Sequence, residues 1–418
     1  MCKYCMIFIH IYDYFIVLVI YNIFMINYLI EHKKIEIFLQ PIVSIKDKKT
    51  FAYEALTRAY DENNDLISPL YLFEQARKER LSCTLDNYVR ELALEKFNTY
   101  YHEDKSVLLF LNFEPSIIEN DIDDDFISVV YKHNIATSNI VIEIKEDKIK
   151  DTQALRRFIT RYRKRGFIIA IDDFGTGYSS FDRLEFIKPD IVKVDRSIVY
   201  NVNSNFINSE ILTAIANMCH QIGSMVLAEG VENSSEVLCC MQKDIDIFQG
   251  YWFARPSSVI DSEKKEDIFK SIKNIGYTYK TIIKEEISKK QLLLDKSKIL
   301  SKRVFDIIET QKIDNLVAID EIFLENDKLE AIYLMNCEDG IQVGKTYINA
   351  NERYLYKPTK EGHDHSLRDY YFIAKDSSRG DYLGNRYISK ASGNMCRTYS
   401  SKISISDCSY IVCLDILD

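Results

Sequence analysis

The chain has 418 residues, 47% hydrophobic and 28% charged, with only 13 Gly and 6 Pro, which supplies a large core and argues against disorder. Its length makes two domains the default expectation, and a formal net charge of -9 disfavours a broad polyanion-binding surface, so bulk nucleic acid is a poor partner. Ten scattered cysteines, none apart from Cys2 and Cys5 with the paired spacing and histidine neighbours of a zinc site, fit a reducing compartment, and the adjacent pair Cys239-Cys240 reads as buried small hydrophobes.

The chain opens on an apolar leader, residues 1–34. From Tyr14 to Ile30 there is no formally charged side chain. Counting back past Asp13 and His10 to Met6 gives a stretch that reaches the roughly 20 residues a bilayer requires. Asp13 makes such a span costly, and no small-residue cleavage site follows. Lys33 and Lys34 would keep the rest of a spanning chain in the cytoplasm. Two readings stay open: a membrane anchor, or a buried or irregular leader helix, ahead of catalytic and sensor domains expected in the cytoplasm.

Ile35–Ile45 and Thr50–Thr57 read as a hairpin around the charged turn Lys46-Asp47-Lys48-Lys49. A helical stretch follows over Ser68–Asn98. Apolar runs at Val107–Phe113, Asn139–Ile144, Phe167–Phe174, Asp190–Val194, Ser224–Ala228 and Ile245–Phe253 predict strands. Segments with helical periodicity, such as Asp151–Arg165 and Glu210–Gln221, lie between them. This alternation predicts an α/β fold with a closed, TIM-like (β/α)8 barrel, with one antiparallel strand expected in it.

The polar residues follow the strand period. Leu108, Phe110 and Asn112 share one face, as do Ile168, Ala170 and Asp172, and the polar member comes last each time. Glu143 closes its run after Val141, Glu54 ends the second hairpin strand, and Glu229 follows Ala228. A barrel gathers such strand ends into one mouth. Asp172 and Asp173 would repel one another there unless a cation neutralised them, and hard oxygen donors favour Mg²⁺ or Mn²⁺.

Glu54-Ala55-Leu56 is followed by Thr57-Arg58 and preceded by Gln40-Pro41-Ile42-Val43. Then come Leu111-Asn112-Phe113, Glu143-Ile144-Lys145-Glu146, and the loop opened by Asp172-Asp173-Phe174-Gly175-Thr176 and running to Ser180. Lys193-Val194-Asp195, Glu229 and Glu232 within Ala228–Glu232, Gln249-Gly250-Tyr251 and Arg255-Pro256 complete the set. In this order the motifs resemble the EAL-type cyclic di-GMP phosphodiesterases.

The resemblance implies metal-dependent hydrolysis of cyclic di-GMP to 5′-pGpG, the alternative being a catalytically silent receptor. It implies two metals per site, one on Glu54, Asn112, Glu143 and Asp172, the other on Asp172, Asp173 and Glu229. Glu54, Lys193 and Glu229 would be catalytic, with Lys193 orienting the nucleophile and Glu229 accepting its proton. Gln40, Leu56, Arg58, Gln249 and Arg255 would bind substrate, and Glu146, Glu232 and Thr176 would support the loop. The loop Phe174–Ser180 and its following helix resemble the family's dimer-forming region, which implies a homodimer. Lys145 departs from the small hydroxyl residue usual between the two glutamates, a change expected to alter loop anchoring without removing a metal ligand.

The expected domains are the barrel at 35–270, a connecting helix at 271–311 and a smaller α+β domain at 312–418. Within the connecting helix, Tyr279–Thr310 carries apolar residues at mostly three-to-five-residue steps. In the last domain the predicted strands are Leu316–Ile319, Leu329–Met335, Tyr370–Ile373, Asn385–Ser389 and Ser409–Asp415. Arg368–Phe372, Tyr387–Ser389 and Ser392–Asn394 resemble the central strands of PAS and Cache sensor domains. A pocket near His365, Arg368 and Tyr371 is expected to hold a small-molecule ligand, an anion or carboxylate.

Overall fold

The computed structural model describes residues 25–119, 126–145, 149, 151–176, 181–311, 316–349, 357–389, 391–405 and 408–417. The chain divides into two compact units between Thr281 and Ile282.

In the first unit β1 (Ile35–Ser44) and β2 (Lys49–Tyr60) form an antiparallel hairpin, with the short β3 (Leu66–Ile67) on the edge of β2. There follow β4 (Leu108–Asn112), β5 (Ile140–Lys145), β6 (Ile168–Phe174), β7 (Ile191–Val194), β8 (Met225–Ala228) and β9 (Ile247–Phe248). The sheet runs β1-β9-β8-β7-β6-β5-β4-β2-β3, and β1 also pairs with β2, so eight strands close into a barrel. Only β1 is antiparallel to its ring neighbours.

Aliphatic and β-branched runs such as Ile140–Ile144 and Ile168–Ile171 suit strands covered on both faces. One residue from each ring strand, Ile42, Ala52, Phe110, Val141, Ala170, Ile191, Leu227 and Ile247, enters a single apolar plug. The outward residues, among them Leu109, Ile142, Ile169, Val192 and Val226, join the helices in a larger core. The helix Thr152–Lys164 is representative: Asp151 caps it by accepting from the backbone N–H groups of Gln153 and Ala154, and Leu155, Phe158, Ile159 and Tyr162 bury its inner face.

Several expectations are revised. The stretch Ser68–Asn98 is two helices, Pro69–Lys78 and Ser82–Glu103, broken where Arg80 takes φ 59°. The run Ile245–Phe253 narrows to β9, because the chain turns at Gly250, where an added Cβ would lie 2.0 Å from the Val231 carbonyl oxygen. Glu54 is not the end of β2. It closes only the stretch that pairs with β4, after which β2 continues against β1 and β3.

The membrane anchor is also corrected. Residues 25–31 are helical, and Met25, Ile26 and Leu29 pack on Leu72, Ala76 and Leu85 in the first unit. The end of the expected span is thus part of a protein core, and among the described residues no helix is long and apolar enough to cross a membrane. Residues 6–24 of that expected span lie outside the described residues.

The helix Ser262–Gln311 contains the expected amphipathic stretch. Leu294 and Val304 pack into the second unit's core, whereas Ile287 and Ile299 are exposed. That unit is built on an antiparallel sheet of β10 (Leu329–Asn336), β11 (Gln342–Ile348), β12 (Asp381–Ile388), β13 (Met395–Ile405) and β14 (Cys408–Leu417), in the order β11-β10-β14-β13-β12. Two predicted strands are helical: Leu316–Ile319 opens the helix Leu316–Glu325, and Tyr370–Ile373 lies in Asp369–Asp376. In the latter, Tyr371 and Ala374 are buried three residues apart, so packing of a helical face overrides the β preference of the aromatic run.

Candidate active site

Directly above the apolar plug stands a polar ring with one residue from each barrel strand or its immediate continuation. Two residues on from each plug residue come Glu54, Asn112, Glu143, Asp172, Lys193, Glu229 and Gln249. On the reversed β1 the corresponding residue, Gln40, lies two before Ile42. Glu229 and Gln249 lie just past β8 and β9, but their backbone N–H groups donate to Val194 O and Ala228 O, both at 3.0 Å, and extend the parallel ladder. The plug forces the ring: side chains two apart share a face, and the layer beneath is already filled.

Lys193, 1% exposed, sits among four carboxylates. Its Nζ lies 2.8 Å from Asp172 Oδ1, 2.7 Å from Glu229 Oε1 and 3.5 Å from Glu54 Oε1, and it contacts Glu143 Oε1. Asn112 Nδ2 donates to Glu143 Oε2 at 2.7 Å and to Glu54 Oε1 at 3.4 Å. Gln249 Nε2 donates to Gln40 Oε1 at 3.0 Å and to Glu54 Oε2, and the buried Gln249 Oε1 has no partner among the described residues.

Negative charge exceeds positive here, and the proton affinities follow. Burial, reinforced by Glu54, holds the Glu143 carboxyl well above its ordinary value. Burial likewise pushes Glu229 up to about 8, against the pull of Lys193. Asp172 is pushed up by burial but held below its usual range by Lys193 and Lys145. Burial opposes the Lys193 charge, yet Asp172, Glu143, Glu229 and Glu54 keep it well above the ordinary lysine value.

Asp173 has the wrong strand parity for the ring. The β6–β7 register shifts between Ile171 and Phe174, and Asp173 takes φ 57° within this irregularity. One carboxylate oxygen each from Asp172, Asp173 and Glu229 consequently lies within 4.8 Å of the others. An all-oxygen donor set with surplus negative charge fits a hard divalent cation. Thr176 Oγ1 donates to Asp173 O at 3.0 Å and braces the turn.

Leu56 and Arg58 line a cavity of about 320 Å³ together with Asn112 and Lys145, beside the ring. The Arg58 guanidinium stacks 5.3 Å from the Phe38 centroid and donates to Thr57 O. Arg255 is exposed and lies over the Tyr251 ring. Glu232 is not brought into the ring; its carboxylate pairs with Arg196. Glu146 lies outside the described residues.

Two features escape sequence reasoning. The Lys145 ammonium lies 2.8 Å from Asp173 Oδ2 and 3.3 Å from Asp172 Oδ2, so Lys145 touches the carboxylates themselves rather than only the loop. The fully buried Glu236 accepts from the backbone N–H groups of Asn201 and Glu232, fixing the turn after Glu229. Strand register could have found Lys145, because it pairs across from Asp172. Nothing local marks Glu236.

Comparison with known proteins adds a family pattern and relatives. The pattern described as EAL domain matches residues 25–256. The uncharacterized EAL-domain containing protein YkuI of Bacillus subtilis is 23% identical over 376 residues, covering 87% of this chain and 90% of that protein. The Escherichia coli cyclic di-GMP phosphodiesterase PdeF is 28% identical over 235 residues, 56% of this chain and only 31% of that protein. The crystal structure of Bacillus subtilis YkuI, in complex with substrate c-di-GMP and calcium, matches with a TM-score of 0.76 at 21% identity. The match covers 92% of this chain and 97% of that one and shows a shared fold.

Proposed function

Because the chain belongs to the EAL-domain family, whose pattern covers more than half of it, we propose that it hydrolyses cyclic di-GMP to 5′-pGpG with the help of divalent metal. The observation that carries this reading is the complete polar ring of the barrel mouth, with Glu54, Asn112, Glu143, Asp172, Lys193 and Glu229 gathered above the plug and Asp173 turned in beside them. A silent receptor needs a pocket but no use for every acid, so the full set favours the enzyme.

In this reading Glu54, Asn112, Glu143 and Asp172 hold one Mg²⁺ or Mn²⁺, and Asp172, Asp173 and Glu229 hold a second. Such ions, when bound, neutralise phosphate charge and make water more acidic. The protein's own groups do the rest. Lys193, fixed by its carboxylate neighbours, orients the attacking water and stabilises negative charge beside it. Glu229, held beside Lys193, takes the water's proton. Gln40 and Gln249, hydrogen-bonded to one another, and Leu56, Arg58 and Arg255 receive the dinucleotide, with Arg58 suited to a phosphate. Glu232 and Thr176 hold the surrounding turns.

The working form in this proposal is a homodimer. The second unit is read as a PAS/Cache-like sensor that binds a small molecule and tunes turnover; its five-stranded antiparallel sheet, with the first and last strands adjacent at its centre, supports that assignment.

The test is direct. Purified protein with Mg²⁺ or Mn²⁺ should convert cyclic di-GMP to 5′-pGpG by chromatography, and Glu54→Ala should abolish turnover with the fold retained. Intact substrate after prolonged incubation with saturating Mn²⁺, together with measurable cyclic di-GMP binding, would select the receptor.

A further inference from the structure

In the second unit the strand β14 runs Ile411-Val412-Cys413-Leu414-Asp415-Ile416, buried nearly throughout, and one of its buried side chains is a carboxylate. Asp415 is 2% exposed. Its Oδ2 accepts from Ser389 Oγ at 2.7 Å, and its Oδ1 from Thr398 Oγ1 at 2.9 Å and from the Tyr333 hydroxyl at 3.4 Å. All of these partners are neutral hydroxyls. Among the described residues no Lys, Arg or His forms an ion pair with Asp415, and a single hydroxyl donates to its Oδ2, so the charge is unbalanced and an acceptor position stays open.

This carboxylate nevertheless lines a cavity of about 380 Å³. Tyr333, Tyr370, Tyr382 and Tyr387 also line it, and aromatic faces beside a carboxylate favour an organic cation. Arg368, exposed and with no carboxylate partner among the described residues, lines the same cavity. Of the residues expected near a ligand pocket, His365 and Arg368 line this cavity and Tyr371 does not. Both ring nitrogens of His365 are engaged, by the Tyr370 hydroxyl and by Gln342 Oε1. Tyr371 is buried and donates to the carbonyls of Cys337 and Glu338. A ligand with a carboxylate alone would leave Asp415 unbalanced.

We infer that this cavity binds a small amino-acid-like zwitterion, its ammonium group held by Asp415 among the tyrosines and its carboxylate by Arg368. The inference rests on the reading of the second unit as a ligand-binding domain and gives that ligand a chemical class. The cavity lies near the lower end of the roughly 300–1,000 Å³ usual for ligand pockets, which suits a molecule of this size.

The experiment is calorimetric titration of the full-length protein with the twenty protein amino acids, their deaminated acids and their decarboxylated amines. At least one amino acid should bind, with its deaminated counterpart at least tenfold weaker. Asp415→Asn should weaken that amino acid by tenfold or more with the circular dichroism spectrum unchanged. Arg368→Gln should weaken the amino acid but not its decarboxylated amine. If Asp415→Asn fails to fold, the ligand series on the unmodified protein and the exposed Arg368→Gln variant decide. Equal binding of the deaminated acid, or unchanged binding by folded Asp415→Asn, would overturn the ammonium site while leaving the domain a ligand binder. No binding by any compound in the panel would overturn the inferred ligand class while leaving the domain open to a ligand of other chemistry.

Discussion

Lys145 on β5 sets its ammonium 2.8 Å from Asp173 Oδ2 on β6, so a protein cation stands on carboxylates that would otherwise be free to hold a metal. Its side chain is about one-third exposed, which screens the attraction. The surviving competition is on the order of 1 kcal/mol. Lys145→Thr should therefore bind Mn²⁺ about three- to tenfold more tightly, read by electron paramagnetic resonance of free Mn²⁺ independently of turnover. An unchanged affinity would mean that the ammonium swings aside at no cost.

Lys193 balances four carboxylates that are themselves buried or nearly so. Removing one member of a buried ionic cluster typically costs about 3–5 kcal/mol. Lys193→Met should lower the melting temperature of the metal-free protein, and added Mn²⁺ should recover more of it than Mn²⁺ adds to the unmodified chain. Equal metal-induced shifts in the two proteins, measured by scanning calorimetry, would show that Lys193 does not carry this balance.

The buried pair Arg90–Asp86, with Nε to Oδ2 at 2.6 Å, supports the site from behind. Arg90 also lies over the rings of Phe113 and Phe126, and Asp86 Oδ1 accepts from the Glu114 backbone N–H, two residues beyond Asn112. Asp86→Ala leaves a guanidinium buried and should destabilise the barrel by about 3 kcal/mol or more. Arg90→Met together with Asp86→Leu should recover much of that loss in urea unfolding; a double variant no better than Asp86→Ala would argue that the ring contacts, not the charge pair, hold this corner.

Burial raises the Asp415 carboxyl above its ordinary value, with Tyr387, Ser389, Thr398 and Tyr333 opposing the rise by hydrogen bonding. The folded state therefore binds this proton more tightly than the unfolded chain. The associated stability is full below the unfolded value and is lost as pH rises through the folded one. The second unit should thus become less stable as pH rises above about 4, and Asp415→Asn should flatten that slope. Parallel slopes for the two proteins, followed by circular dichroism melts across pH 4 to 8, would count against a raised Asp415.

Local sequence periodicity determined the barrel and most of its polar ring. The alternation Phe110-Asn112, Val141-Glu143 and Ala170-Asp172 is a property of extended backbone, in which residues two apart share a face, and closure then brings those ends together. What sequence could not supply depends on non-local pairing. The β6 irregularity turns Asp173 toward Asp172, the β5–β6 register delivers Lys145 to both, and Asp415 meets hydroxyls from β10 and β13 as well as from Ser389. Apolar segments were ambiguous for a related reason, since burial is non-directional: residues 25–30 suit a bilayer as well as a protein groove, and only the packing of Met25, Ile26 and Leu29 on Leu72, Ala76 and Leu85 decided between them.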